Sequence, residues 1–192
     1  MKSERLVALT DGVIAVIITI MVLELKPPHE ATFEALRERG PVLLSYILSF
    51  IYIGIYWNNH HHFFQLAPRV NAGVMWANLN LLFWLSLVPF TTAWMGEHEL
   101  TPVPTALYGA SLLAAAVAWF VMQLTIMRLQ GPDSPLRRAL GRDWKGLLSP
   151  VLYLTGIGLA FVAPLLSDAL YLAVALMWLV PDRRMEAAVT QA

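Results

Sequence analysis

Aspartate, histidine and amide side chains stand inside apolar runs of this sequence, where they are costly and mark either a function or an interior network. Thr10 and Asp11 open the first apolar run, and Asn58, Asn59, His60, His61 and His62 close the second. Asn78 and Asn80 lie early in the third, and Gln123 lies late in the fourth. Metal ligation is the first chemistry such residues could support. Successive helical residues turn through about 100°, so three adjacent histidines cannot share a face. The i, i+4 partner of His62 is Asn58, a poor ligand, so no metal site is expected. The absence of cysteine removes disulfides, cysteine-ligated zinc and thiol catalysis together. Asp11 and His60 could form the proton relay of a small secondary transporter, although the broken helices or inverted repeats of such carriers are not visible. Neither Ser–His nor metal-ligand spacing supports an enzyme. Hydrogen bonding between helices, on the order of 1 kcal/mol per bond, is compatible with any of these functions.

The elements that position these residues are membrane helices. The chain has 192 residues, 58% of them hydrophobic and 14% charged, with a mean hydropathy of +0.60. Soluble domains are nearer 45–50% apolar and about 25% charged. Thirteen basic and thirteen acidic residues cancel, so the overall basic field of a nucleic-acid binder is absent. A span needs roughly 20 mainly apolar residues. Six runs qualify or come close: Leu6–Leu25, Val42–Phe64, Val70–Met95, Thr105–Leu129, Gly146–Leu166 and Ala169–Val180. Pro164 and Ser167-Asp168 punctuate the last two as a tight turn between antiparallel helices. The expected fold is therefore all-α, a polytopic membrane protein with six transmembrane helices in one domain, residues 1–192.

Orientation follows from the connections. Ten of the thirteen basic residues fall on one set: Lys2, Arg5, Arg69, Arg128, Arg137, Arg138, Arg142, Lys145, Arg183 and Arg184. Lys26, Arg37 and Arg39 fall on the other, beside Glu30, Glu34, Glu38, Glu97, His98 and Glu99. The positive-inside rule then places both termini in the cytoplasm. With that topology the buried polar residues of four helices form one layer near the cytoplasmic side.

On a helical wheel with Asp11 at zero, Val16, Thr19, Ile20 and Leu23 lie near about 140°, 80°, 180° and 120°. They form one stripe with Asp11 off it, and Arg5, near about 120°, lies beneath the stripe. In lipid every face is apolar, so periodicity alone does not identify a pore. The residues themselves carry more. Arg5-Leu6-Val7-Ala8-Leu9-Thr10-Asp11-Gly12 resembles the Arg-x-x-x-Phe-Ser-Asp-Gly signature that opens the first helix of the endosomal/lysosomal potassium channel family, transmembrane protein 175. Ile17-Ile18-Thr19, Val22 to Pro27, Tyr56-Trp57-Asn58-Asn59-His60-His61, Trp76-Ala77-Asn78-Leu79, Pro89-Phe90 and Trp178 to Arg184 are similar to its prokaryotic members. Leu9 stands for the signature Phe, losing a ring; Thr10 stands for Ser, keeping the hydroxyl; and Val16 stands where Ile or Leu is common.

The resemblance implies a tetramer of six-helix subunits in a prokaryotic plasma membrane, with first helices lining a central pore for potassium ions. It implies that Val16, Thr19, Ile20 and Leu23 face the pore axis and that Asp11 turns into the subunit. Arg5, Leu9, Thr10 and Asp11 would then join a signature network with His60 and Asn78. Ile17 is expected on the lipid side. No Thr-Val-Gly-Tyr-Gly filter is present, so apolar rings that strip part of the ion's water are the remaining device, with potassium favoured over the more tightly hydrated sodium. No cofactor is implied.

Overall fold

The computed structural model describes residues 2–98, 101–141 and 143–179. Arg142, Glu99, Val180, Pro181, Asp182, Arg183 and Arg184, used above for spans, charge counting or resemblance, lie outside these described residues. Nine helices run through them: α1 Glu4–Leu23, α2 Phe33–Glu38, α3 Gly40–Gln65, α4 Ala72–Ser86, α5 Val88–Glu97, α6 Pro102–Gln130, α7 Pro135–Leu140, α8 Trp144–Leu159 and α9 Pro164–Leu179. Beyond them, Lys2 and Arg69 form an isolated antiparallel bridge.

Four stretches are long and apolar enough to cross a membrane: α1, α3, the α4–α5 stretch Ala72–Glu97, and α6. The 16-residue α8 and α9 each extend only about 24 Å at 1.5 Å per residue.

Two boundaries differ from expectation for identifiable reasons. The third span is interrupted at Leu87, whose N–H reaches only to Trp84 O at 3.2 Å. Pro89, in the first turn of α5, has no N–H to offer the Leu85 carbonyl, so the helix restarts there. The last turn lies at Ala160–Ala163, earlier than expected, and Pro164 opens α9 where its missing N–H costs nothing. Ser167 and Asp168 belong to α9, and the Ser167 hydroxyl donates back to Gly156 O of α8 at 2.7 Å. Gly131, at φ +84° just past Gln130, ends α6.

Caps account for other ends. Asn71 Oδ1 accepts from Val74 N at 3.0 Å to start α4, and Asp143 Oδ1 accepts from Gly146 N at 2.8 Å to start α8. The short α7 is tied down by Gln130, whose amide donates to Leu66 O at 2.6 Å and accepts from the Ser134 hydroxyl. Leu136 and Ala139 of α7 join the main core.

That core gathers α1, α3, α4 and α6 around Ile14, Ile17, Ile53, Phe63, Val74, Leu81 and Met122. A second cluster, built on Tyr52, Tyr108, Tyr153 and Tyr171, binds α3, α6, α8 and α9. Its hydroxyls are satisfied across helices: Ser49 Oγ meets Thr92 Oγ1 at 2.6 Å and the Tyr108 hydroxyl at 2.9 Å, and the Tyr52 hydroxyl donates to Tyr171 O at 2.5 Å. Close approach needs glycine here. A methyl group at Gly109 would meet the Tyr171 hydroxyl, and one at Gly156 would sit 2.6 Å from Tyr171 Cε1.

Candidate functional site

α1 has two unlike faces. Leu6, Thr10, Ile14, Ile17 and Met21 are buried against α3, α4 and α5. The i, i+3, i+4 spacing of that set leaves the opposite side exposed, and Val16, Thr19, Ile20 and Leu23 all lie there. Val16 is 54% exposed and Leu23 77%, too much apolar surface for a packing face within the chain. Ile17, expected on the lipid side, is instead only 3% exposed, about 100° further round the helix from Val16.

Alongside the exposed face runs an apolar groove of about 620 Å³, lined by Leu9, Gly12, Val16 and Ile20 of α1 and by Pro89 and Phe90 beyond the α4–α5 break. Leu9, in place of the signature aromatic, is half-exposed on the groove wall. The Thr19 hydroxyl donates to its own backbone, with Val16 O at 2.9 Å and Ala15 O at 3.1 Å. Its proton is therefore occupied, and the oxygen lone pairs are what the exposed face presents.

Part of the polar layer forms a directed chain. Asn78 Nδ2 donates to Thr10 Oγ1 at 2.9 Å, and Thr10 Oγ1 donates to Leu6 O at 3.0 Å. That orientation leaves Asn78 Oδ1 as an acceptor, so the His60 Nε2 facing it at 2.9 Å carries hydrogen. His60 is 1% exposed, lies against Phe64 with the rings tilted and their centroids 4.5 Å apart, and has no partner at Nδ1. The chain pins α1, α3 and α4 together, with the His60 imidazole as its end.

Asp11 and Arg5 stand apart from it. Asp11 is exposed, one residue round the helix from Thr10, and accepts from Trp57 Nε1 at 3.0 Å. It links α1 to α3, but it does not turn into the subunit interior. Arg5 is exposed in the first turn, with no hydrogen bond to His60 or Asn78. Asp11 and His60 share no hydrogen bond, and the step from His60 leads to an amide that cannot relay a proton by simple transfer, so the transporter arrangement is not assembled. Trp57, which was given no role of its own from the sequence, is the residue missed; its place in the family-like Tyr56-Trp57-Asn58-Asn59-His60-His61 stretch was the available signal.

Elsewhere in the layer, His61 and His62 bond Gln65 at 3.0 and 3.4 Å, and Asn80 is exposed. Among the described residues no group of three His, Cys, Asp or Glu side chains could hold a metal ion.

Residues 5–89 match the family model described as endosomal/lysosomal potassium channel TMEM175. A potassium channel of Chryseobacterium is 46% identical over 97% of both chains. The chain belongs to the TMEM175 family. A potassium channel of Streptomyces collinus is 34% identical over 85% of each chain. The crystal structure of a lysosomal potassium-selective channel TMEM175 homolog from Chamaesiphon minutus superposes with a TM-score of 0.78 at 29% identity, covering 92% of this chain and 95% of that one. TMEM175 proteins are channels, and this chain is not an enzyme.

Proposed function

We propose that this chain is a potassium-permeable channel, favouring potassium over sodium, and that it works as a homotetramer of six-helix subunits. Residues 1–192 form its single channel domain, in the plasma membrane of a prokaryote with both termini cytoplasmic. The observation that carries the reading is the exposed apolar face of α1, opposite the face the helix buries in its own subunit. Four copies of that face around an axis give rings of Val16, Ile20 and Leu23, with Thr19 supplying an oxygen ring between them.

An ion crossing an apolar ring must shed part of its hydration, and such rings also close by dewetting. Potassium gives up water more readily than sodium, so the barrier favours it modestly. The Thr19 oxygens, with their protons turned to the backbone, offer lone pairs that compensate some of that loss. The Thr10–Asn78–His60 chain and the Asp11–Trp57 bond act as supports that hold α1 at its angle. The 16-residue α8 and α9 supply the fifth and sixth helices.

The test is the reversal potential in bilayers under mixed potassium and sodium gradients, for wild type and Val16→Asn. Four amides in place of four isopropyl groups lower the cost of keeping water in the constriction. Conductance should rise and the discrimination should fall. If Val16→Asn leaves both unmoved while Leu154→Ala, on an exposed part of α8, behaves the same way, α1 does not line the conduction path.

A further inference from the structure

A small crevice lies between α3, α6 and the first half of α8, with Trp178 of α9 at one side and no lining residue from α1. Its volume is about 50 Å³. Two of its polar walls are already satisfied: Ser149 Oγ accepts from Trp178 Nε1 at 2.8 Å while donating to Lys145 O, and Asp143 caps α8. Three others are not. The side chain of Gln123, a residue 4% exposed, lines the crevice and makes no hydrogen bond to any described residue. Asn59 and the Tyr56 hydroxyl line it from α3 and also make none.

Leaving a buried primary amide unpaired is costly, and buried polar groups nearly always find a partner. The crevice is too small for an aromatic ring or a run of acyl chain, since a dry cavity that takes benzene measures about 150 Å³. Water needs about 10–15 Å³ of such space and two to four polar partners. We infer that the crevice is a hydration site holding a cluster of about three or four water molecules on Gln123, Asn59 and Tyr56. The cluster fills the gap between α3 and α6 that side-chain packing leaves open, and it stands apart from the exposed face of α1.

Hydroxyl-radical footprinting in lipid nanodiscs tests this directly, because radicals generated from bound water oxidise the side chains beside it. The lining Tyr56 and Trp119 should be oxidised in the wild-type protein despite their partial burial. In Gln123→Leu that labelling should drop severalfold, while labelling of the exposed Trp76 stays as it was. Gln123→Met, which keeps the side-chain length, gives the same reading if the leucine variant does not fold. Unchanged labelling in either folded variant, or none at Tyr56 and Trp119 in the wild type, overturns the proposal. So does a reversal potential that moves with Gln123→Met, since the crevice would then belong to the ion path.

Discussion

At the scale of single residues, the buried chain through Thr10 and the exposed oxygen of Thr19 lead to opposite kinds of effect. Thr10 Oγ1 is the acceptor for Asn78 Nδ2 and is fully buried. Thr10→Val keeps the shape and strands that donor, which should lower stability by about 1–3 kcal/mol. Thr10→Ser should recover most of it, and the thermal melting midpoint of the purified protein distinguishes the two. Thr19→Val removes an oxygen from an exposed face and should leave melting nearly unchanged. Under the proposed function it should instead reduce single-channel conductance, by removing lone pairs that offset dehydration. Ile17→Ala is not a neutral control for either, because it opens a cavity in the core at a cost of about 2–5 kcal/mol. Asp11 was legible as a carboxylate set inside an apolar run, but its partner was not. Which of Trp57, His60 and Asn78 it meets depends on how far α1 is rotated against α3, and no local pattern sets that angle.

Some element boundaries are set by local breakers and caps. Gly131 and Pro132 stop α6, and Asn71 and Asp143 begin α4 and α8, because these residues act within one turn. The interruption at Leu87 was harder to see, since a proline inside an apolar run can either kink a helix or merely start one. Close packing of α6, α8 and α9 on Tyr171 gives a prediction at this scale. Gly109→Ala drives a methyl group into the Tyr171 hydroxyl, and overpacking of this kind costs about 1–3 kcal/mol. Gly158→Ala, in the same helix bundle but with nothing within 4 Å of the new methyl group, should be neutral or stabilising by up to about 1 kcal/mol. A denaturation series on the two variants should separate them clearly; equal effects would mean that Tyr171 has room to move.

For the whole molecule, the exposed face of α1 demands a cover other than water. One chain has one such face and cannot enclose a pore with it. Cyclic assembly of four copies would place the four α1 helices at the axis, and native mass spectrometry in detergent should give the mass of four chains. Leu23→Cys, at a position 77% exposed near the end of α1, should then cross-link between copies under mild oxidation. A functional monomer, or a cysteine that never cross-links, would rule out the axial arrangement.

What the sequence by itself determined was the medium and the kind of element: apolar runs of span length, the polar residues set within them, and the family signature. These are properties of consecutive residues, and the bilayer enforces helix on any such run because every backbone N–H and C=O must be paired within it. Tertiary structure alone decided which side of each helix is buried. In lipid all sides of α1 are apolar, so nothing in its composition separates Ile17, in the core, from Val16, on the open face. Only the packing of α3, α4 and α5 against it made that choice, and with it sent Thr10 inward to Asn78 and left Asp11 at the surface with Trp57.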